Sequence, residues 1–172
     1  MLKQLSVVAF AGLMSLAAAP ARADDLSKIG VGPHGLDFLI GQTMTCRNNQ
    51  PGPVSGPATS TSTVVAGSQP GRLTFKNSGP NSSEGYNVYV PSKKTWVGVF
   101  ATPDGSYGSE TMISFGPHNV WQGTFTDALG HTMKVRDTFT NTSFLQSTDV
   151  SEANDGSGWK VVGKTVCIGT KH

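Results

Sequence analysis

The chain has 172 residues with thirteen bases against eleven acids, and charged residues make up 14 % of it, well below the about 25 % of an ordinary soluble domain. That balance offers no basic stripe to follow a phosphate backbone, which excludes nucleic acid as a partner. Serine, threonine, asparagine and glycine stand where the charges would be, as on exported β proteins.

Residues 1–23 read as a secretory signal peptide. Lys3 is followed by the apolar run Leu5–Ala19 and by Ala21-Arg22-Ala23 before Asp24. The run is shorter than the roughly 20 residues that span a bilayer. No cysteine stands directly after the cleavage point, which argues against a lipid anchor. Cleavage after Ala23 predicts a periplasmic or secreted chain without a transmembrane segment. The loss of Lys3 and Arg22 leaves eleven bases for eleven acids.

Residues 24–35 (DDLSKIGVGPHG) are expected to form a flexible N-terminal arm. They contain Gly30-x-Gly32-x-x-Gly35, which matches the dinucleotide fingerprint. The fingerprint needs a strand before it and a helix opening on its last glycine, and neither fits here. A single domain is expected over 36–172. Leu36–Ile40 (LDFLI) reads as one helical turn or as the lead into a first strand, Gly41–Arg47, on which Met44 and Cys46 share a side. Asn48–Gly56 is a Pro/Gly loop.

Strands follow at Thr59–Ala66, Arg72–Lys76, Gly85–Val90 and Thr95–Ala101. Asp104-Gly105 then makes a tight turn into Tyr107–Ser114, because glycine supplies the positive φ such turns need. Val120–Thr126 and Thr132–Thr140 form a hairpin around the loop Asp127–His131. Centred on Leu129, it sets Trp121 opposite Asp137, Phe125 opposite Met133 and Gln122 opposite Arg136. Phe144–Glu152 and Trp159–Ile168 complete about ten short strands at a spacing that signals an all-β sandwich or barrel. Gly158–Thr165 satisfies the phosphate-loop pattern GxxxxGK[ST], but the intervening residues are bulky strand formers with no helix after them, so it is read as the last strand.

Cys46 and Cys167 are the only cysteines. In an oxidising compartment two such residues pair, and a bridge between first and last strands makes those strands neighbours, as an up-and-down barrel requires. Two buried free thiols are the alternative. The histidines are isolated, His118 being the one near a barrel mouth, so no metal or cofactor is expected. The acids are scattered, with no pair suited to acid–base work, and no GxSxG motif is present. Asn81 and Asn141 begin glycosylation sequons, which matter only in a eukaryotic secretory pathway.

Asp137 sits on the apolar side of its strand, where a carboxylate needs a partner. The Trp121 indole N–H is the expected one, in either a structural pair or a polar anchor within a cavity. Small barrels fill their interior with aromatics, whereas larger ones line a pocket with them. The candidate ligand-binding set is Trp96, Trp121, Phe125, Met133, Val135, Asp137 and Phe139.

Three stretches resemble secreted bacterial proteins with a lipocalin-like (calycin-type) β-barrel domain. They are Leu-Asp-Phe-Leu-Ile-Gly before the cysteine-bearing first strand, Asp-Gly/Tyr-Gly at 104–108, and the tail running from Gly-Thr-Phe-Thr-Asp through Lys-Val-Arg-Asp-Thr-Phe-Thr and Asp-Gly-Ser-Gly-Trp-Lys to Cys167. The likeness covers Leu36–Ile168. It implies a single antiparallel barrel and binding of a small hydrophobic molecule. Lipocalins carry a tryptophan two residues after the first-strand glycine, where this chain has Thr43.

The fold expected is therefore all-β: one antiparallel up-and-down barrel of about 8–10 strands, its first and last strands joined by Cys46–Cys167. The function expected is a non-enzymatic binding module for a small hydrophobic or aromatic ligand. A solid barrel acting through its surface on protein or cell envelope is the alternative. A hydrolase using Asp137 with Arg136 or His118 is the weaker one.

Overall fold

The computed structural model describes residues 24–48, 58–80 and 82–171. The signal-peptide reading of 1–23, most of the Pro/Gly loop, the Asn81 sequon and His172 lie outside the described residues. Ten strands close into one antiparallel up-and-down barrel in which each pairs with its neighbours in sequence and β1 pairs with β10. They are β1 (Gln42–Asn48), β2 (Thr59–Ala66), β3 (Arg72–Ser78), β4 (Ser83–Val90) and β5 (Thr95–Ala101). The second half is β6 (Tyr107–Ser114), β7 (His118–Thr126), β8 (Thr132–Ser143), β9 (Gln146–Asn154) and β10 (Lys160–Lys171).

Local chemistry sets the turns. At 102–106, Gly105 adopts φ 92°, and the Asp104 carboxylate accepts from the Ser106 N–H at 3.0 Å. At 127–131, Asp127 Oδ1 accepts from the N–H groups of Leu129 and His131, each at 2.9 Å. The hairpin register is then Trp121 to Asp137, Phe125 to Met133 and Gln122 to Arg136. The phosphate-loop look-alike lies largely in β10. β9 begins only at Gln146, later than its sequence reading, because Phe144 and Leu145 make the turn after a longer β8.

Cys46 lies directly across from Cys167 in the β1–β10 ladder, and the two form a disulfide with Cα atoms 4.0 Å apart. The bridge fastens the seam where the first and last strands meet.

The segment expected to be a loose arm is packed across one end of the barrel. Leu26–Lys28 and Asp37–Leu39 are single 3-10 turns, and Ile29 and Leu36 between them are buried. They join Leu73, Trp96, Met112 and Val64 in the core. Hydrogen bonds pin the segment down. The Trp96 indole donates to Gly32 O at 3.1 Å, and the Gly116 N–H donates to Ile29 O at 2.9 Å. The three glycines that mimic a nucleotide fingerprint shape this plug. Gly30 has φ 77°, and a Cβ on it would strike Met112. Among the described residues no helix is long and apolar enough to cross a membrane.

Gly123 on β7 has a different task. A Cβ there would collide with the Ser109 carbonyl oxygen and crowd Glu110 Cα, so β6 and β7 approach this closely only because the side chain is missing. Alanine in a strand is normally favoured over glycine by about 0.5–1 kcal/mol. Here Gly123→Ala is expected to destabilise instead, by about 1–3 kcal/mol. A urea midpoint equal to or above that of the unchanged protein would show that the close approach is not needed.

Candidate functional site

A cavity of about 430 Å³ lies inside the barrel, within the roughly 300–1,000 Å³ usual for small-molecule sites. Its floor is the N-terminal plug, through Ile29, Leu36, Phe38 and Leu39. Apolar side chains from the strands continue that surface: Met44, Val64, Phe75, Trp121 and Phe139. A second kind of lining meets them. Ser60, Ser62, Asn77, Ser83, Asn87 and Thr165 give the cavity hydrogen-bonding groups, mostly toward the end away from the plug. The disulfide is part of the wall, since both Cys46 and Cys167 face the cavity.

Of the residues singled out in the sequence, Trp121 and Phe139 line this space. Phe125 stacks on Phe100 at 6.2 Å between ring centroids, and Phe100 itself reaches the lining. Trp96 does not belong to it. The ring is fully buried against Tyr89 in a T-shaped contact and holds the plug, so it is core and not pocket. Met133 and Val135 are partly buried and stay outside the lining, because they lie toward the β7–β8 turn at the far end of β8.

Asp137 shares its face of β8 with the cavity-lining Phe139, but its expected bond with Trp121 is not made. The Trp121 indole donates to Asn119 Oδ1 at 3.2 Å. Asp137 meets two other acids instead. Glu110 on β6 and Asp149 on β9 both line the cavity, and both feel the negative charge of Asp137. The acids that look scattered in the sequence thus converge on one wall. No strand holds two of them; β-pairing carries them together, Glu110 being opposite Gly123, Gly123 opposite Val135, and Asp149 opposite Phe139.

Burial is the main force acting on this wall. It pushes the Glu110 carboxyl up to about 9, assisted by the charge of Asp137, by a hydrogen bond with it, and by Asp149. Burial likewise lifts Asp149 to about 8, with Asp137 adding to the effect and the Ser151 hydroxyl opposing it. Ser151 Oγ donates to Asp149 Oδ2 at 3.2 Å. The other oxygen, Asp149 Oδ1, and Glu110 Oε1 are buried without a partner. Among the described residues no three His, Cys, Asp or Glu side chains are placed to hold a metal ion.

Chemistry built on Asp137 with Arg136 or His118 is not assembled. Arg136 is the next residue along the strand and points to the opposite face, where it pairs with Glu152 at 2.7 Å and covers the Trp159 ring at 4.5 Å. His118 is exposed, at 3.2 Å from the Thr140 hydroxyl. Asn141 is buried and donates to Pro117 O, so its sequon offers no free amide in the folded barrel. No protein-family model matches the chain, and no curated protein compared with it matches either.

Proposed function

We propose that this barrel is an exported, lipocalin-like binding module that holds one small hydrophobic or aromatic ligand and performs no chemistry on it. The observation that carries the reading is the cavity of about 430 Å³, floored by the plug and walled by Trp121, Phe139 and Phe75. An apolar surface with a few convergent polar groups is the usual make-up of a small-molecule site. The apolar side suits a planar or aliphatic body, and the serines and asparagines suit one polar end. The leader-like residues 1–23 support export, and a disulfide accords with an oxidising compartment.

The reading is tested with N-phenyl-1-naphthylamine, a neutral aromatic probe whose fluorescence rises in apolar surroundings. Saturable binding of about one probe per chain is expected. Ser62 lines the cavity, and Ser62→Phe would place a ring in it. That variant is expected to bind at least about tenfold more weakly, or about 1.4 kcal/mol, without losing its fold. A correctly folded barrel that takes up no probe would point to the surface-acting alternative.

A further inference from the structure

Glu110 and Asp149 stand on the wall of a cavity lined otherwise by neutral groups, with Asp137 beside them, and such a wall demands a counter-charge. The neighbours facing Glu110, Asp137 and Asp149 are all uncharged. β7 contributes Asn119 and Trp121, with Gly123 beside Glu110. β5 contributes Gly98 and Phe100, β4 contributes Asn87 and Ser83, and β10 contributes Thr165 and Cys167. The faces of β1, β2 and β3 bring Met44, Ser62, Val64 and Asn77, and the plug brings only apolar side chains. Of the bases on the same strands, Lys134, Arg136 and Lys164 alternate to the outer surface, while Lys160 and Lys171 are exposed at the two ends of β10, outside the cavity lining. The loop between β1 and β2 contains no ionisable residue over 49–57. Among the described residues, then, no cation faces the wall. Protons are the one neutralising charge available without a ligand.

We propose that Glu110 and Asp149, set beside Asp137, form a proton-operated wall: while both carry protons it accepts an uncharged apolar ligand, and once they are deprotonated their charge on the cavity lining expels that ligand. This deepens the binding reading above and rests on it. The geometry supplies the reason. Glu110 Oε1 and Asp149 Oδ1 are buried with no partner in the protein, so a charge on either carboxyl is left to whatever water stands against its cavity-facing side. A ligand that fills the cavity removes that water, and a desolvated carboxylate is costly.

The direction follows from linkage. Burial raises both carboxyls, to about 9 and about 8, so in the folded barrel they keep their protons near neutrality and release them as the pH rises through those values. A ligand favouring the protonated wall must be bound more weakly above that window, by up to about tenfold per pH unit for each proton lost. Below the window its affinity should be level.

Two measurements test this. The first needs no ligand: carboxyl-selective carbon NMR of the barrel labelled at Asp and Glu, followed from about pH 5 to about pH 10. Two carboxyls titrating above neutrality are expected, assigned by their disappearance in Glu110→Gln and Asp149→Asn. A titration complete by about pH 6 for every carboxyl would overturn the wall. The second is N-phenyl-1-naphthylamine binding at about pH 6.5 and about pH 9.5, where at least about tenfold weakening is expected at the higher value. In Glu110→Gln/Asp149→Asn the change should shrink to less than about twofold. Equal affinity at both pH values, or the same weakening in the double variant, overturns the proton-operated wall and leaves the binding reading standing. Absence of probe binding at every pH overturns the binding reading itself, and the wall with it.

Discussion

Trp96→Ala is expected to lower the stability of the barrel by about 3–5 kcal/mol and to free the plug at the same time. Trp96 has 0 % exposure, so the substitution opens a cavity in the core. It also removes the indole donor held by Gly32 O at 3.1 Å. The two losses are separable. Trp96→Phe keeps most of the apolar volume and gives up the hydrogen bond, which is worth about 0.5–1.5 kcal/mol. Urea unfolding measures the stability of each variant, and exchange of the Gly116 amide reports the plug, because that amide bonds to Ile29 O. If Trp96→Ala cost less than about 1 kcal/mol and left the Gly116 amide protected, Trp96 would not be what seats the plug.

The second large effect belongs to the disulfide. Cys46 and Cys167 are 121 positions apart, and a loop of that size gives up to about 5 kcal/mol in the chain-entropy account. Cys46→Ala/Cys167→Ala should therefore fold with a much lower urea midpoint. The seam keeps its register, since β1 and β10 remain paired from Gln42–Lys171 to Asn48–Thr165. Because both sulfurs face the cavity, the variant also enlarges the binding space. A stability loss below about 1 kcal/mol would mean that the unfolded chain gains little freedom when the tie is cut.

Much of this architecture is legible in the sequence, because alternation and turn chemistry act over a few residues. The Asp104-Gly105 turn and the five-residue loop at 127–131 fix two hairpins, and the second carries its whole register with it. The first-to-last disulfide follows from there being only two cysteines, one near each end of the folded region, in a chain read as exported. Three things do not follow. The plug has no periodicity: its two 3-10 turns are three residues each, and it is held by isolated bonds to distant residues such as Trp96 and Gly116. The pairing of Trp121 with Asp137 in register does not mean that their polar atoms meet, since Asn119 competes two residues away on the same face. The acidic wall needs three ladders to be in place before its members meet. One signal was available. Glu110 shares its side of β6 with Gly108 and Met112, which hints at an inward position, whereas Asp149 shares its side of β9 only with Ser147 and Ser151, so parity marks no apolar face there. On β6 that parity is weak, because Tyr107 and Ile113 make the other face equally apolar.

The closure of the sheet has a consequence for how these molecules behave in a crowd. An open sheet ends in two strands whose unpaired N–H and C=O groups can template another chain, and such edges seed domain swapping and fibres. In this barrel each of the ten strands has a partner on both sides, so the strands offer a passing molecule nothing to extend. The vulnerable line is the β1–β10 seam, and the covalent tie lies on it. Reduction of that bond makes it easier for two bare rims to appear together, each matched to the other and hence to the opposite rim of a second copy. Polymerisation of this protein would then run head to tail through β1 and β10, and oxidation of Cys46–Cys167 is what guards against it.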